Sequence, residues 1–98
     1  MDTDRDGNVF FTGGIQPLAT GNSDGIVVKL KPSGARVWSK RVTSSGNEGA
    51  NAVLARTPSE VYVAGITDGV LGAANRGNID PFLRRLRGSD GSTVWTEQ

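Results

Sequence analysis

Three aspartates on alternate residues open the chain and have the spacing best suited to bind a metal ion. Asp2, Asp4 and Asp6 are followed by Gly7, and carboxylates on alternate positions of a tight turn can converge on a hard cation such as calcium. A complete calcium loop would also need a glutamate where Gly13 stands. The three aspartates therefore leave two hypotheses open: a calcium site, or a turn in which Asp and Asn bond their own backbone.

Two tryptophans and one arginine are the candidate ligand-binding residues, Trp38, Trp95 and Arg84. Exposed indoles can stack on a sugar ring or a base, whereas repeated indoles are also typical of packing between sheets. Arg84 stands among inward apolar residues, where a cation requires either a partner or solvent. Together with Arg85 and Arg87 it forms a small basic patch, which a solvated strand face would also explain.

Catalysis finds little support in the sequence. The chain contains no histidine and no cysteine, so it lacks a proton shuttle near neutral pH and a thiol nucleophile. Its remaining polar residues fall in no phosphate loop, nucleophile elbow or paired-carboxylate arrangement. We predict no enzyme and, apart from the calcium hypothesis, no cofactor. An enzyme whose site is shared between several chains is retained as an alternative.

The charge balance argues against nucleic-acid and membrane partners. Lysine and arginine number 11 against 10 acidic residues in 98, so there is no strong field to attract a polyanion or an anionic membrane. No apolar stretch approaches the roughly 18 residues of a membrane span. The first residues lack the basic and apolar regions of a signal peptide, so we expect no targeting segment within this chain.

The elements that must position these residues are short strands that occur twice in the same order. The phrase from Asn8 to Gly13 returns 52 residues later, from Glu60 to Gly65. Two further pairs of phrases follow: Asp24 to Leu30 with Asp80 to Leu86, and Gly34 to Ser39 with Gly91 to Thr96. A period near fifty residues built from short apolar runs indicates a repeat architecture.

Alternating apolar residues and 14 glycines predict an all-β fold of short strands and tight turns. The predicted strands cover Val9 to Thr12, Ile26 to Leu30, Arg36 to Lys40, Ala50 to Ala55, Val61 to Val63, Phe82 to Leu86 and Thr93 to Thr96. Gly13 and Gly14 are expected to end the first of them. Met1 to Thr3 align only with the end of a further strand.

The repeat resembles the bacterial β-propeller repeat family often called the SBBP or seven-bladed propeller repeat. The similarity covers about two repeats and rests on the D-x-D-G-N-V-aromatic-x-x-G phrase from Asp4 to Gly13, the strand starts at Asp24 and Asp80, the Lys29-Leu30 ending, and the G-x-x-x-W endings at Trp38 and Trp95. The second copy departs from the pattern at Arg56 to Glu60, where the acidic glycine turn is missing.

This resemblance implies two β-propeller-like blades, each an antiparallel four-stranded sheet. Residues 1–49 would form the first blade, without its innermost strand, together with a linker, and residues 50–98 the second. Because propellers close with four to eight blades, we expect further blades as partners, either from a homo-oligomer or from a larger propeller.

The implied function is a non-catalytic scaffold or interaction module. The alternative is a metal- or carbohydrate-binding module that uses the acidic turn or exposed tryptophans. The resemblance also implies an extracellular or cell-surface location, and a binding rim formed by the loops from Gly14 to Ser23 and from Ile66 to Ile79.

Overall fold

A computed structural model describes residues 1–16, 23–44, 46–72 and 79–98, and its regular elements there are eight β-strands. They are β1 (Asp2–Thr3), β2 (Val9–Ile15), β3 (Asp24–Leu30), β4 (Arg36–Val42), β5 (Glu48–Thr57), β6 (Glu60–Thr67), β7 (Asp80–Arg87) and β8 (Thr93–Glu97). These ranges contain no helix, so the all-β prediction is confirmed. The described residues accordingly include no helix long and apolar enough to cross a membrane.

The strands form two antiparallel sheets in which each strand pairs with its neighbours along the chain. Sheet 1 has the order β1-β2-β3-β4, and sheet 2 has the order β5-β6-β7-β8. The first sheet therefore has four strands, and the first of them is the strand end that the sequence predicted at Met1 to Thr3, in a blade otherwise without its innermost strand. That strand, β1, has only two residues, Asp2 and Thr3, which pair with Phe10 and Val9.

Backbone pairing extends the strands beyond the apolar runs that predicted them. The sequence predicted that Gly13 and Gly14 would end β2, but they pair with Ile26 and Gly25, and the strand continues to Ile15. Since β3 supplies a backbone partner for each glycine, the missing side chains do not interrupt the ladder. Side-chain periodicity locates the apolar part of a strand, while the partner strand decides how far the pairing runs.

The two sheets stack face to face and share one hydrophobic core. Because side chains alternate along a strand, one face of each sheet points towards the other sheet. The buried apolar residues are Phe10, Val27, Trp38 and Val42 from sheet 1, and Ala50, Val53, Ala55, Val61, Val63, Phe82 and Leu86 from sheet 2. Each large side chain in this set contributes about 1.5–3 kcal/mol to folding through its burial.

Two equivalent turns place glycines in the left-handed region. Gly34 lies between β3 and β4 with φ 91°, and Gly91 lies between β7 and β8 with φ 77°. Each donates its amide to a carbonyl at the start of its turn, Gly34 to Lys31 and Gly91 to Arg87, both at 2.9 Å. Their surroundings differ, because a Cβ added to Gly91 would lie 2.7 Å from the Trp38 ring, whereas one added to Gly34 has no atom within 4 Å.

We expect Gly91→Ala to lower the free energy of unfolding more than Gly34→Ala does. Both substitutions carry the cost of a left-handed alanine, about 1–2 kcal/mol. Gly91→Ala also displaces the Trp38 indole, which adds about 1–3 kcal/mol. Urea denaturation of the two variants, compared at low protein concentration, measures the difference. Equal losses of stability would contradict the close approach of this turn to the indole.

Candidate functional site

The acidic turn is organised around Asp4. Its carboxylate accepts hydrogen bonds from the backbone N of Asp6 at 2.9 Å, the backbone N of Asn8 at 3.0 Å and the Asn8 Nδ2 at 3.0 Å. Asp2 is engaged elsewhere, since its carboxylate accepts from the backbone N of Ala55 in sheet 2 at 2.8 Å. Asp6 is exposed. Within the described residues, no three Asp, Glu, His or Cys side chains form a group that could hold a metal ion.

Hydrogen bonding keeps Asp4 ionised in the folded protein. Burial raises the pKa of its carboxyl. The hydrogen bonds from Asn8 and Asp6 and the charge of Lys29 together lower it by more than burial raises it, so the pKa lies below its usual value. The second repeat replaces this arrangement with an ion pair, in which Arg56 Nη1 lies 3.3 Å from a Glu60 carboxylate oxygen. Equivalent positions of the two repeats are therefore linked in both turns, by a hydrogen bond between Asp4 and Asn8 in the first and by an ion pair between Arg56 and Glu60 in the second.

Trp38 and Arg84 lie between the sheets, away from open surface. The indole Nε1 of Trp38 donates to the backbone carbonyl of Gly88 at 2.9 Å. Arg84 is 8% exposed and donates from Nε to Thr96 Oγ1 at 2.9 Å. Burial lowers the pKa of the Arg84 guanidinium, and the charge of Glu48 opposes this effect. The inward arginine thus has partners within the chain.

Trp38 belongs to a row of three side chains that we call the covered triad, formed by Phe10, Lys29 and Trp38. Lys29 is the cross-strand neighbour of both aromatic residues, and the ring centroids lie 6.1 Å apart at 59°. Lys29 Nζ lies 5.6 Å from the Phe10 centroid and donates to the Gly88 carbonyl at 2.8 Å. The covered triad therefore binds one backbone carbonyl from a turn of sheet 2.

The same row occurs in sheet 2 as Tyr62, Arg85 and Trp95, which we call the open triad. Arg85 is the cross-strand neighbour of both aromatic residues, and the ring centroids again lie 6.1 Å apart, at 54°. This row lies on the face of sheet 2 that points away from sheet 1, and Trp95 is 37% exposed. The described part of the chain provides no turn that covers it as Gly88 covers the first row.

A carboxylate at the rim of the open triad holds its polar atoms. Tyr62 donates its hydroxyl to Glu60, and Arg85 Nη2 lies 3.9 Å from the same carboxylate. The hydrogen bond from Tyr62 lowers the pKa of Glu60, partial desolvation raises it, and the charges of Arg56 and Arg85 lower it further. Among the described side chains, the Arg85 Nε is buried without a hydrogen-bond partner.

An apolar groove of about 300 Å³ lies beside the open triad. It is lined by Ala52, Val53, Leu54, Tyr62, Ala64 and Leu83. Leu54 on β5 is 54% exposed and Leu83 on β7 is 41% exposed, and together they expose apolar surface on one sheet face. We call the groove and the open triad together the open face of sheet 2, and we identify it as the candidate functional site.

The predicted site residues are only partly brought together. Trp95 lies on the open face, whereas Trp38 and Arg84 lie in the core. The cation of the site is Arg85, which the sequence placed only in a basic patch with Arg84 and Arg87. The signal for its role is that it occupies the position of Lys29 in the first repeat. Of the predicted rim loops, residues 17–22 and 73–78 fall outside the described residues.

A scan against protein-family models gives no match for the chain, and neither does a search of curated proteins.

We expect Asp4→Ala to lower the free energy of unfolding by about 1–2 kcal/mol at neutral pH, because three donors lose a charged acceptor. A carboxyl whose pKa is lowered by folding stabilises the protein above its unfolded pKa, about 4, and that contribution is lost as the pH falls through the folded pKa. The gap between Asp4→Ala and the unchanged protein should therefore shrink below about pH 4. Asp6→Ala is the control, and an equal loss in both variants would contradict this role for Asp4.

The two indoles should differ in their exposure to a quencher. In the Trp95→Phe variant, the remaining Trp38 is buried and hydrogen-bonded, so we expect blue-shifted emission and weak quenching by acrylamide. In the Trp38→Phe variant, Trp95 should emit further to the red and be quenched strongly in dilute solution. Similar quenching constants for the two single-tryptophan variants would be incompatible with one covered and one open triad.

Proposed function

We propose that this chain is a non-catalytic scaffold or interaction module of the β-propeller type, a pair of blades that further blades complete. Those blades come from other copies of the chain or from a larger repeat array. The proposal is supported by the resemblance of the repeats to the SBBP-type propeller family and by the order of the strands, since each sheet is a four-stranded antiparallel meander. In such a blade β1 and β5 would be the innermost strands.

The observation that carries the proposal is that both sheets carry several large apolar residues on both faces, although the outward faces also hold charged residues such as Arg41 and Glu97. Sheet 1 buries one apolar face against sheet 2, and its outward face carries Val9, Phe11, Ile26 and Leu30 around the buried Val28. Sheet 2 presents the open face with Leu54, Leu83 and Trp95. An antiparallel sheet at the surface of an isolated domain normally has one polar, solvated face. Apolar residues on both faces are what a sheet in the middle of a stack requires.

The chemistry of the side chains fits a binding role better than a catalytic one. The open face carries aromatic rings, leucines and one arginine, and these residue types are enriched at protein interfaces. The chain has no histidine or cysteine that could act there. A stacking platform built from both tryptophans would need both indoles exposed, and Trp38 is covered by sheet 2.

Measurement of the native mass tests the proposal. One chain has a mass of 10.3 kDa, and we expect light scattering to give a multiple of this value that rises with protein concentration. The physical reason is the apolar area of the two outward faces, which gains about 25 cal/mol for each Å² removed from water. A compact species of 10.3 kDa at every accessible concentration would refute self-association.

A further inference from the structure

We propose that the open face of sheet 2 binds the outward face of sheet 1 of a second copy, so that copies associate head to tail. In this contact the open triad holds the turn at Pro32 to Gly34 of the second copy, with Arg85 and Trp95 donating to the Pro32 carbonyl. The inference rests on the proposed function and specifies its partner surface. It follows from a correspondence between the faces of the two sheets.

By repeat position, the outward face of each sheet corresponds to the inward face of the other sheet. The open triad matches the covered triad position by position, and Leu83 of the open face matches Val27, which is buried between the sheets. Conversely, the residues of β6 and β7 that cover sheet 1 match residues on the outward side of sheet 1. These pairs are Val61 with Val9, Val63 with Phe11, Phe82 with Ile26 and Leu86 with Leu30. The pair Arg84 and Val28 differs in charge, and the core residues of β5 have no counterpart because β1 has only two residues.

The contact inside the chain can therefore be repeated between chains. Within the chain, the covered face of sheet 1 meets the inner face of sheet 2. The open face of sheet 2 is equivalent to the covered face of sheet 1, and the outward face of sheet 1 is equivalent to the inner face of sheet 2. A contact between the open face of one copy and the outward face of another copy would therefore resemble the internal contact. The proposed interface repeats the part of the internal contact that β6, β7 and the turn after β7 make, and it lacks the part made by the long strand β5. A contact of this head-to-tail type leaves one free face at each end until a ring closes.

The turn that fills the covered triad also has its equivalent. Within the chain, Gly88 accepts from Lys29 and Trp38, and Gly91 lies against the Trp38 ring. In the first repeat, Pro32 occupies the position of Gly88. The turns that contain them are closed by equivalent backbone hydrogen bonds: the Lys31 amide donates to the Ala35 carbonyl, and the Arg87 amide donates to the Ser92 carbonyl, both at 2.8 Å. The turn of the second repeat is one residue longer between these bonds.

Space at Gly34 is consistent with the role of a docking turn. Its equivalent, Gly91, must lack a side chain because Trp38 lies so close to it. Gly34 has the same left-handed backbone but no atom within 4 Å of an added Cβ, and Pro32, Ser33 and Gly34 are all exposed. In the proposed contact the indole of Trp95 from another copy takes the place beside Gly34 that Trp38 takes beside Gly91.

A complementation experiment separates head-to-tail docking from other modes of association. Leu83→Lys blocks the open face of sheet 2 and leaves the outward face of sheet 1 intact, while Phe11→Lys does the reverse. We expect each variant alone to have the mass of one chain and an equimolar mixture to form a species of twice that mass. Gly34→Asn replaces Phe11→Lys if the latter fails to fold, because asparagine tolerates the left-handed region and its side chain would meet Trp95 of the other copy.

The outcomes distinguish this inference from the proposed function. If the unchanged protein associates but the mixture stays monomeric, or if Phe11→Lys alone still forms dimers, head-to-tail docking is wrong and self-association stands. If the unchanged protein is a single chain at every concentration, head-to-tail docking and self-association are both wrong.

The hydrogen bonds to the turn are tested by substitution of Arg85. We expect Arg85→Met to weaken association about ten- to a hundredfold, as for the loss of a hydrogen bond from a charged donor, while Arg85→Lys retains most of it because Lys29 serves in the covered triad. Arg5→Met, in an exposed turn, is the matched control. In ¹⁵N-labelled Phe11→Lys, the Trp95 indole N–H signal should shift when unlabelled Leu83→Lys is added, and the Trp38 signal should not. A shift of Trp38 alone, or equal effects of Arg85→Met and Arg5→Met, would overturn the assignment.

Discussion

The stacking of the two sheets depends on two hydrogen bonds, which Lys29 and Trp38 of sheet 1 donate to the backbone carbonyl of Gly88 in sheet 2. The covered face of sheet 1 carries an ammonium and an indole N–H, and burial of either without an acceptor would cost about 1–3 kcal/mol or more. One carbonyl oxygen has two lone pairs and accepts both, from Lys29 at 2.8 Å and from Trp38 at 2.9 Å. The turn can bring this oxygen so close because Gly91 has no Cβ to meet the indole. Apolar packing supplies most of the favourable free energy, and the carbonyl offsets the cost of burying the ammonium and the indole N–H by accepting a hydrogen bond from each.

Duplication of the repeat turns this local solution into a constraint on the whole molecule. The first copy of the triad obtains its carbonyl from sheet 2, but sheet 2 carries its own copy of the triad on the opposite side. A stack of units that each cover their predecessor always leaves the last unit uncovered. Such a stack ends either in a capping surface with polar chemistry or in closure on itself. The open face exposes Leu54, Leu83 and Trp95 and has no cover among the described residues, and this is why its chemistry suggests a partner outside the chain.

The sequence predicts the local features of this fold well and the pairing of faces poorly. Alternating apolar residues and turn glycines are local signals, so the strands and the repeat were predictable from them. The choice of facing surfaces was not, because both sheets have apolar residues on both sides and alternation alone does not say which side meets the other sheet. The sequence placed Arg84 among inward apolar residues, and the structure buries it there with Thr96 as a partner. It did not indicate that Arg85, on the opposite face, would lie beside Trp95. The hydrogen bond from the Ala55 amide to the Asp2 carboxylate joins residues 53 positions apart, and no local sequence pattern predicts it.

The differences between the two triads follow from the difference in their surroundings. Phe10 of the covered triad becomes Tyr62 in the open one, and Lys29 becomes Arg85. A phenylalanine and a lysine over a buried carbonyl suit permanent cover, whereas a tyrosine hydroxyl and a guanidinium can bond to Glu60 while the face is in water. Tyrosine, tryptophan and arginine also bring a large apolar contact with a polar end, which is the composition typical of surfaces that exchange solvent for a partner. The second triad thus keeps the geometry of a core and has the residue types of an interface, and this combination suits a contact that forms and dissociates.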